Sequence, residues 1–177
     1  IAHEERTMHI KVLAIGVLTV AGLMPSAGFA GEAKVTWQNP QDYTDIVSDD
    51  GPQQAFQDSL FTYLDGEFAR QAKRLPEGSV LNVTVTNFDM AGRAENGVRE
   101  IQALWYPQMT VNYQLLDATG AVSSEQQGMV YAQQDYYNAN SAMRQSEQNA
   151  TSNEFYFEDA MVRQWFYDTF FEKHKSH

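Results

Sequence analysis

Between Asp89 and Pro107 the chain gathers the side chains best suited to hold a ligand. Asp89 ends an alternating apolar run, and Gly92, Arg93, Gly97, Arg99 and the pair Trp105-Tyr106 follow it. A guanidinium is a planar fork of donors that grips a carboxylate, and an aromatic ring stacks on a flat apolar face. On a loop, such a set suits recognition of a carboxylate-bearing or sugar-like ligand, or of a protein partner. The plainer alternative is that Arg99 pairs with Asp89 while Trp105 and Tyr106 close the end of the core. Asp89 also opens a catalytic reading. A carboxylate beside a glycine-containing loop can serve a hydrolase if a second acid faces it across a cleft.

Other chemistries lose their residues. There is no cysteine, so neither a thiol nucleophile, a disulfide nor a lipid-bearing cysteine is available. Four histidines occur. Two lie in the first nine residues, and His174 and His177 lie in the last four. That leaves Ser-His-Asp and Cys-His systems without a base in the folded part. Asp42, Asp45, Asp49 and Asp50 crowd one loop, but their spacing is not that of an EF-hand. No cofactor and no metal is expected.

The chain carries 23 acidic residues against 12 basic ones, a formal net charge of -11. This balance repels phosphate backbones and anionic headgroups, which argues against nucleic acid and membrane surfaces as partners. At the amino end, Met8-His9-Ile10-Lys11 precedes the apolar run from Val12 to Met24 and then Pro25-Ser26-Ala27-Gly28-Phe29-Ala30. This is the layout of a secretory signal peptide, with small residues at the third-last and last positions before a cut after Ala30. The run is shorter than the roughly 20 residues that span a bilayer. The expected organisation is therefore an upstream remnant plus leader over residues 1–30 and one domain over 31–177, working in the periplasm or secreted.

The elements that must position Asp89 and its neighbours follow from periodicity. Val35-Thr36-Trp37 reads as a short strand stopped at Pro40. Asp50-Gly51-Pro52-Gln53 has the grammar of a helix start, with Asp50 as the cap. Phe56, Leu60, Tyr63, Leu64, Phe68, Ala72 and Leu75 then form the stripe of a helix of about twenty residues, with Glu67 off it. Val80 to Phe88 alternates as a strand, and so does Met109 to Leu116. Asp117-Ala118-Thr119-Gly120 turns the chain into a partner strand, where Gly128 at a change of phase suggests a bulge. Gln133 to Glu154 is a polar loop. In a closing helix from Phe155 to Lys173, Met161, Val162, Trp165, Phe166 and Phe170 share a face, leaving Tyr167 and Phe171 as an aromatic pair on the polar flank. The order strand-helix-strand-strand-strand-helix is an α+β fold, a mainly antiparallel sheet of about four strands with two helices on one face.

Several short motifs also recur here in a telling order. They are Val35-Thr36-Trp37-Gln38-Asn39-Pro40, Arg74-Leu75-Pro76-Glu77-Gly78, Asp89-Met90-Ala91-Gly92, Tyr106-Pro107 and Trp165-Phe166. Together they resemble a bacterial family designated domain of unknown function 3016, over essentially the whole of residues 31–177. The resemblance implies an exported, single-domain protein of Gram-negative bacteria and transfers no catalytic residue. The chain departs from the family where the hairpin opens with Gln108 and Met109 in place of a proline and a basic residue.

These observations lead to a non-enzymatic envelope module that binds a partner protein or a wall or glycan component. Arg93, Arg99, Trp105, Tyr106, Tyr167 and Phe171 are the binding residues. A carboxylate-dependent hydrolase built on Asp89 and a self-associating structural component are the alternatives.

Overall fold

The computed structural model of the chain describes residues 30–48, 51–95, 98–100, 105–132 and 154–172. The leader expected over residues 1–30 falls almost wholly outside them, as do Asp49, Asp50, most of the polar loop from Gln133, and His174 and His177. Among the described residues no helix is long and apolar enough to cross a membrane.

Strand β1 (Glu32–Trp37) leads through a 3-10 turn at Pro40–Asp42 to helix α1 (Gln53–Ala72), which returns the chain to strand β2 (Val80–Asp89). A helical crossover lets two strands run the same way, and β1 pairs parallel with β2 from Glu32↔Val80 to Trp37↔Val85. The sheet is thus mainly antiparallel, as expected, with this one parallel pairing among its three. β5 (Gln108–Leu116) pairs antiparallel with β2, and β6 (Val122–Ala132) pairs antiparallel with β5, for the order β1-β2-β5-β6. Between β2 and β5 lies a two-stranded ribbon, β3 (Arg93–Glu95) against β4 (Val98–Glu100), where a loop was expected.

Alternation along the strands sorts the faces. Leu81, Val83, Val85, Met109, Val111, Tyr113 and Leu115 are buried on one side, while Asn82, Thr84, Asn112 and Gln114 remain partly exposed on the other. Gly128 stands at a bulge, as its phase change implied. Its φ is +60°, the register slips opposite Asn112, and its N–H donates to the Asn112 Oδ1 at 2.7 Å. The turn before β6 closes on Gly120 at φ +84°, with the Asp117 carboxylate accepting the Thr119 and Ala121 amides.

α1 and α2 (Tyr156–Phe166) pack side by side over the buried face. Phe68 lies 5.8 Å from Trp165 and 6.1 Å from Phe166, ring centre to ring centre. Helix α1 has the length its stripe implied. Pro52 is the cap residue and makes no side-chain cap bond, while the expected cap Asp50 lies outside the described residues. Gln53 instead ties back to the preceding loop, donating to Ile46 O and accepting from Ser48 N–H. Glu67, placed off the stripe, is buried with Gln71, because that flank of α1 faces α2 rather than water. There Gln71 donates to Glu67, and Arg70 pairs with Glu67 and reaches Asp159, which Arg163 also holds at 2.6 Å.

Past Phe166 the helix widens into a single π turn, Tyr167–Phe171, closed by Glu172 N–H to Tyr167 O at 2.8 Å. The wider winding changes which side chains turn inward. Phe170 and Phe171 both pack on the edge of the core, so Phe171 does not share an outward flank with Tyr167, which is exposed.

Candidate functional site

The end of β2 is shaped by a bulge. The ladder with β5 slips between Val85 and Asn87, so Thr86 is the extra residue and Phe88 turns into the core. Asn87 then faces the loop before α1, its Oδ1 accepting Thr44 N–H and its Nδ2 donating to the Thr44 hydroxyl. Next to it Asp45 N–H donates to Phe88 O and Met90 N–H donates to Asp45 O, at 3.3 and 3.0 Å. This bridge sets Asp45 beside Asp89.

Arg99, on β4, closes over the pair. Its Nη1 and Nη2 donate to the two Asp45 carboxylate oxygens at 3.0 and 3.1 Å, and it also reaches Ala91 O and Val47 O. The pairing of Arg99 with Asp89 that the sequence suggested is replaced by one with Asp45. The reason is the bridge, which brings Asp45 to the guanidinium from 54 residues away.

Thr44, Asp89, Arg93, Trp105, Tyr106 and Gln108 line a cavity of about 550 Å³ beside this clamp. Gly92 N–H donates to Trp105 O at 2.9 Å, which fixes the aromatic pair beside the turn leaving β2. The structure therefore brings Asp89, Arg93, Trp105 and Tyr106 to one concavity, while Arg99 lies behind it, bonded to the lining residue Asp45. Tyr167 and Phe171 lie elsewhere, on the π turn, and the Arg74 guanidinium covers the Phe171 ring at 4.5 Å.

Two carboxyls here have altered acidity. Burial raises Asp89, helped by the neighbouring Asp45 charge and opposed by Arg99. Glu158, in the first turn of α2, is fully enclosed, and burial pushes it up to about 7 against the pull of the Ala91 N–H and of Arg99. Its Oε1 accepts that N–H at 2.9 Å. A chain of contacts thus runs from α2 through Ala91 and Arg99 to Asp45 at the cavity. Sequence reasoning passed over Asp45 and Glu158 as members of this site. Their only signals were membership of an acidic cluster and a Glu-Asp pair inside an apolar helix face.

Among the described residues no group of three or more acids and histidines is arranged to hold a metal. No curated protein and no solved structure matches the chain. Residues 31–168, which hold every element named above except the end of the π turn, match the profile of the family described as protein of unknown function (DUF3016), and the chain belongs to that family.

Proposed function

We propose that this protein is an exported, periplasmic binding module that takes a wall or other glycan segment in the cavity beside Asp89. The observation that carries this reading is the convergence of Asp89, Trp105, Tyr106 and Gln108 on one concavity. Aromatic faces stack on sugar rings, while carboxylate, carboxamide and hydroxyl groups bond the ring hydroxyls. Arg99 is committed to Asp45 and two carbonyls, so it shapes the wall instead of meeting the ligand. The leader layout supports export. Calorimetric titration of the protein with soluble wall fragments tests the reading. Binding is expected, and Trp105→Ala should weaken it about tenfold, near 1.4 kcal/mol. A panel of wall-derived and neutral oligosaccharides that all give no heat would sink it.

The raised pKa of Asp89 beside Asp45 favours a second reading, a carboxylate hydrolase in which Asp89 carries the proton. Asp89→Asn discriminates. A hydrolase loses turnover of a bound glycan, whereas a binding module shows no turnover before or after the change.

A further inference from the structure

Just before β1 stands a glycine whose surroundings leave no room for a side chain. Gly31 is buried, and a Cβ there would lie 2.5 Å from Ala72 O and 2.9 Å from both Leu75 Cβ and Ser79 Oγ. The nearest of these is backbone, which cannot swing aside. Glu32 N–H donates to Ser79 O at 2.9 Å, which starts the parallel ladder and pins residue 31 in place. Ala72 is the last residue of α1, and its carbonyl accepts the Leu75 N–H at 2.9 Å, which leaves one of its two lone pairs for a donor on the Gly31 side. With a Cα–Cβ bond of about 1.5 Å, the Gly31 Cα lies within about 4 Å of that oxygen, and its nitrogen is one bond further at most. Ala30, by contrast, is exposed.

We propose that the Ala30–Gly31 peptide bond is the processing site, and that the α-ammonium freed at Gly31 seats against the carboxyl end of α1. The proposal rests on the export reading above. In the cleavage a signal-peptidase-class protease adds water across the bond. The hydroxyl goes to the Ala30 carbonyl carbon, and the proton goes to the Gly31 nitrogen. The new terminus carries three donors and a positive charge at the negative end of the helix dipole. A cut one or two residues earlier leaves an amide nitrogen at this place, with a single donor and no charge. Processing and folding thus meet at one bond, where Gly28 and Ala30 offer the small side chains the peptidase takes and Gly31 leaves the space the seat needs.

The test expresses the full chain in a Gram-negative host and reads the amino terminus of the product by intact mass and sequencing in each cell fraction. A periplasmic product starting at Gly31 is expected. A periplasmic product starting at Phe29 or elsewhere overturns this site and leaves the export reading standing. An uncut cytoplasmic chain overturns both. The seat is read by melting. Acylation confined to the α-amine, at pH about 6.5 where lysines stay protonated, should lower the midpoint by about 4 °C. An unchanged midpoint overturns the seat. Gly31→Ser should keep the same cut and lower the midpoint further. If that variant does not accumulate, the acylated parent still decides the question.

Discussion

Arg99 and Asp45 meet through two hydrogen bonds, Nη1 to Oδ2 at 3.0 Å and Nη2 to Oδ1 at 3.1 Å, with only 9% and 18% of their side chains exposed. The pair ties the ribbon of β3 and β4 to the loop before α1. Because it is largely shielded, removing one partner leaves a charge without compensation. Arg99→Ala should cost about 3 kcal/mol of unfolding free energy, and Asp45→Asn in the same chain should restore part of it. Urea unfolding of the four proteins of the cycle measures the coupling. A single-variant cost below about 0.5 kcal/mol would show that the clamp does not hold the site.

Glu158 should give stability an unusual dependence on pH. Its folded-state value, about 7, lies above the ordinary 4.5 because burial penalises the charge. The native state therefore holds a proton that the unfolded chain has released between these values. The contribution is fully present below about pH 4.5 and is lost as pH rises toward 7, by roughly 3 kcal/mol. Glu158→Gln keeps an acceptor for the Ala91 N–H and cannot ionise. The variant should match the parent at pH 5 and exceed it at pH 8. An identical difference at both values would refute the assignment.

Phe68 is the hub of the aromatic core. It is fully buried and touches Trp37, Trp165 and Phe166. Phe68→Ala should cost about 4 kcal/mol through lost transfer energy and a cavity between the helices. Guanidinium unfolding reads this, and a loss under 1 kcal/mol would mean the helices close over the gap.

Gly66 is a helical glycine without a structural reason. It is exposed, has no unusual φ, and an added methyl meets nothing within 4 Å. Gly66→Ala should raise stability by about 1 kcal/mol by reducing the freedom of the unfolded chain. A lower melting midpoint would contradict the open surroundings at this position.

Local features were legible wherever one short stretch carries its own instruction. The spacing from Phe56 to Leu75 specified a helix of the observed length, and the alternation from Leu81 to Val85 and from Met109 to Leu115 specified which side chains are buried. Asp117 to Gly120 and Gly128 marked the hairpin and its bulge because each needs a backbone shape few residues allow. The ribbon of β3 and β4 also had a signal, the Asn96-Gly97 pair between Glu95 and Val98, which favours a tight hairpin turn.

Of the candidate site, the cavity side chains Asp89, Arg93, Trp105 and Tyr106 could be named from one stretch of sequence, but their arrangement could not. Arg99 chose Asp45 over Asp89 because the loop before α1 runs beside the end of β2. Glu158 joined from the far end of the chain because the first turn of α2 lies under Ala91.

By itself the sequence determined the two long helices, the four strands of the main sheet, the buried faces of the strands and the net negative charge, since periodicity, composition and turn chemistry act over a few neighbours. Only the tertiary structure decided that β1 runs parallel to β2, that Glu67 is inside, that Phe171 turns inward and that Asp45 is the partner of Arg99. Each of these depends on which distant segment arrives alongside, and that is set by the packing of two helices on one sheet rather than by any local preference.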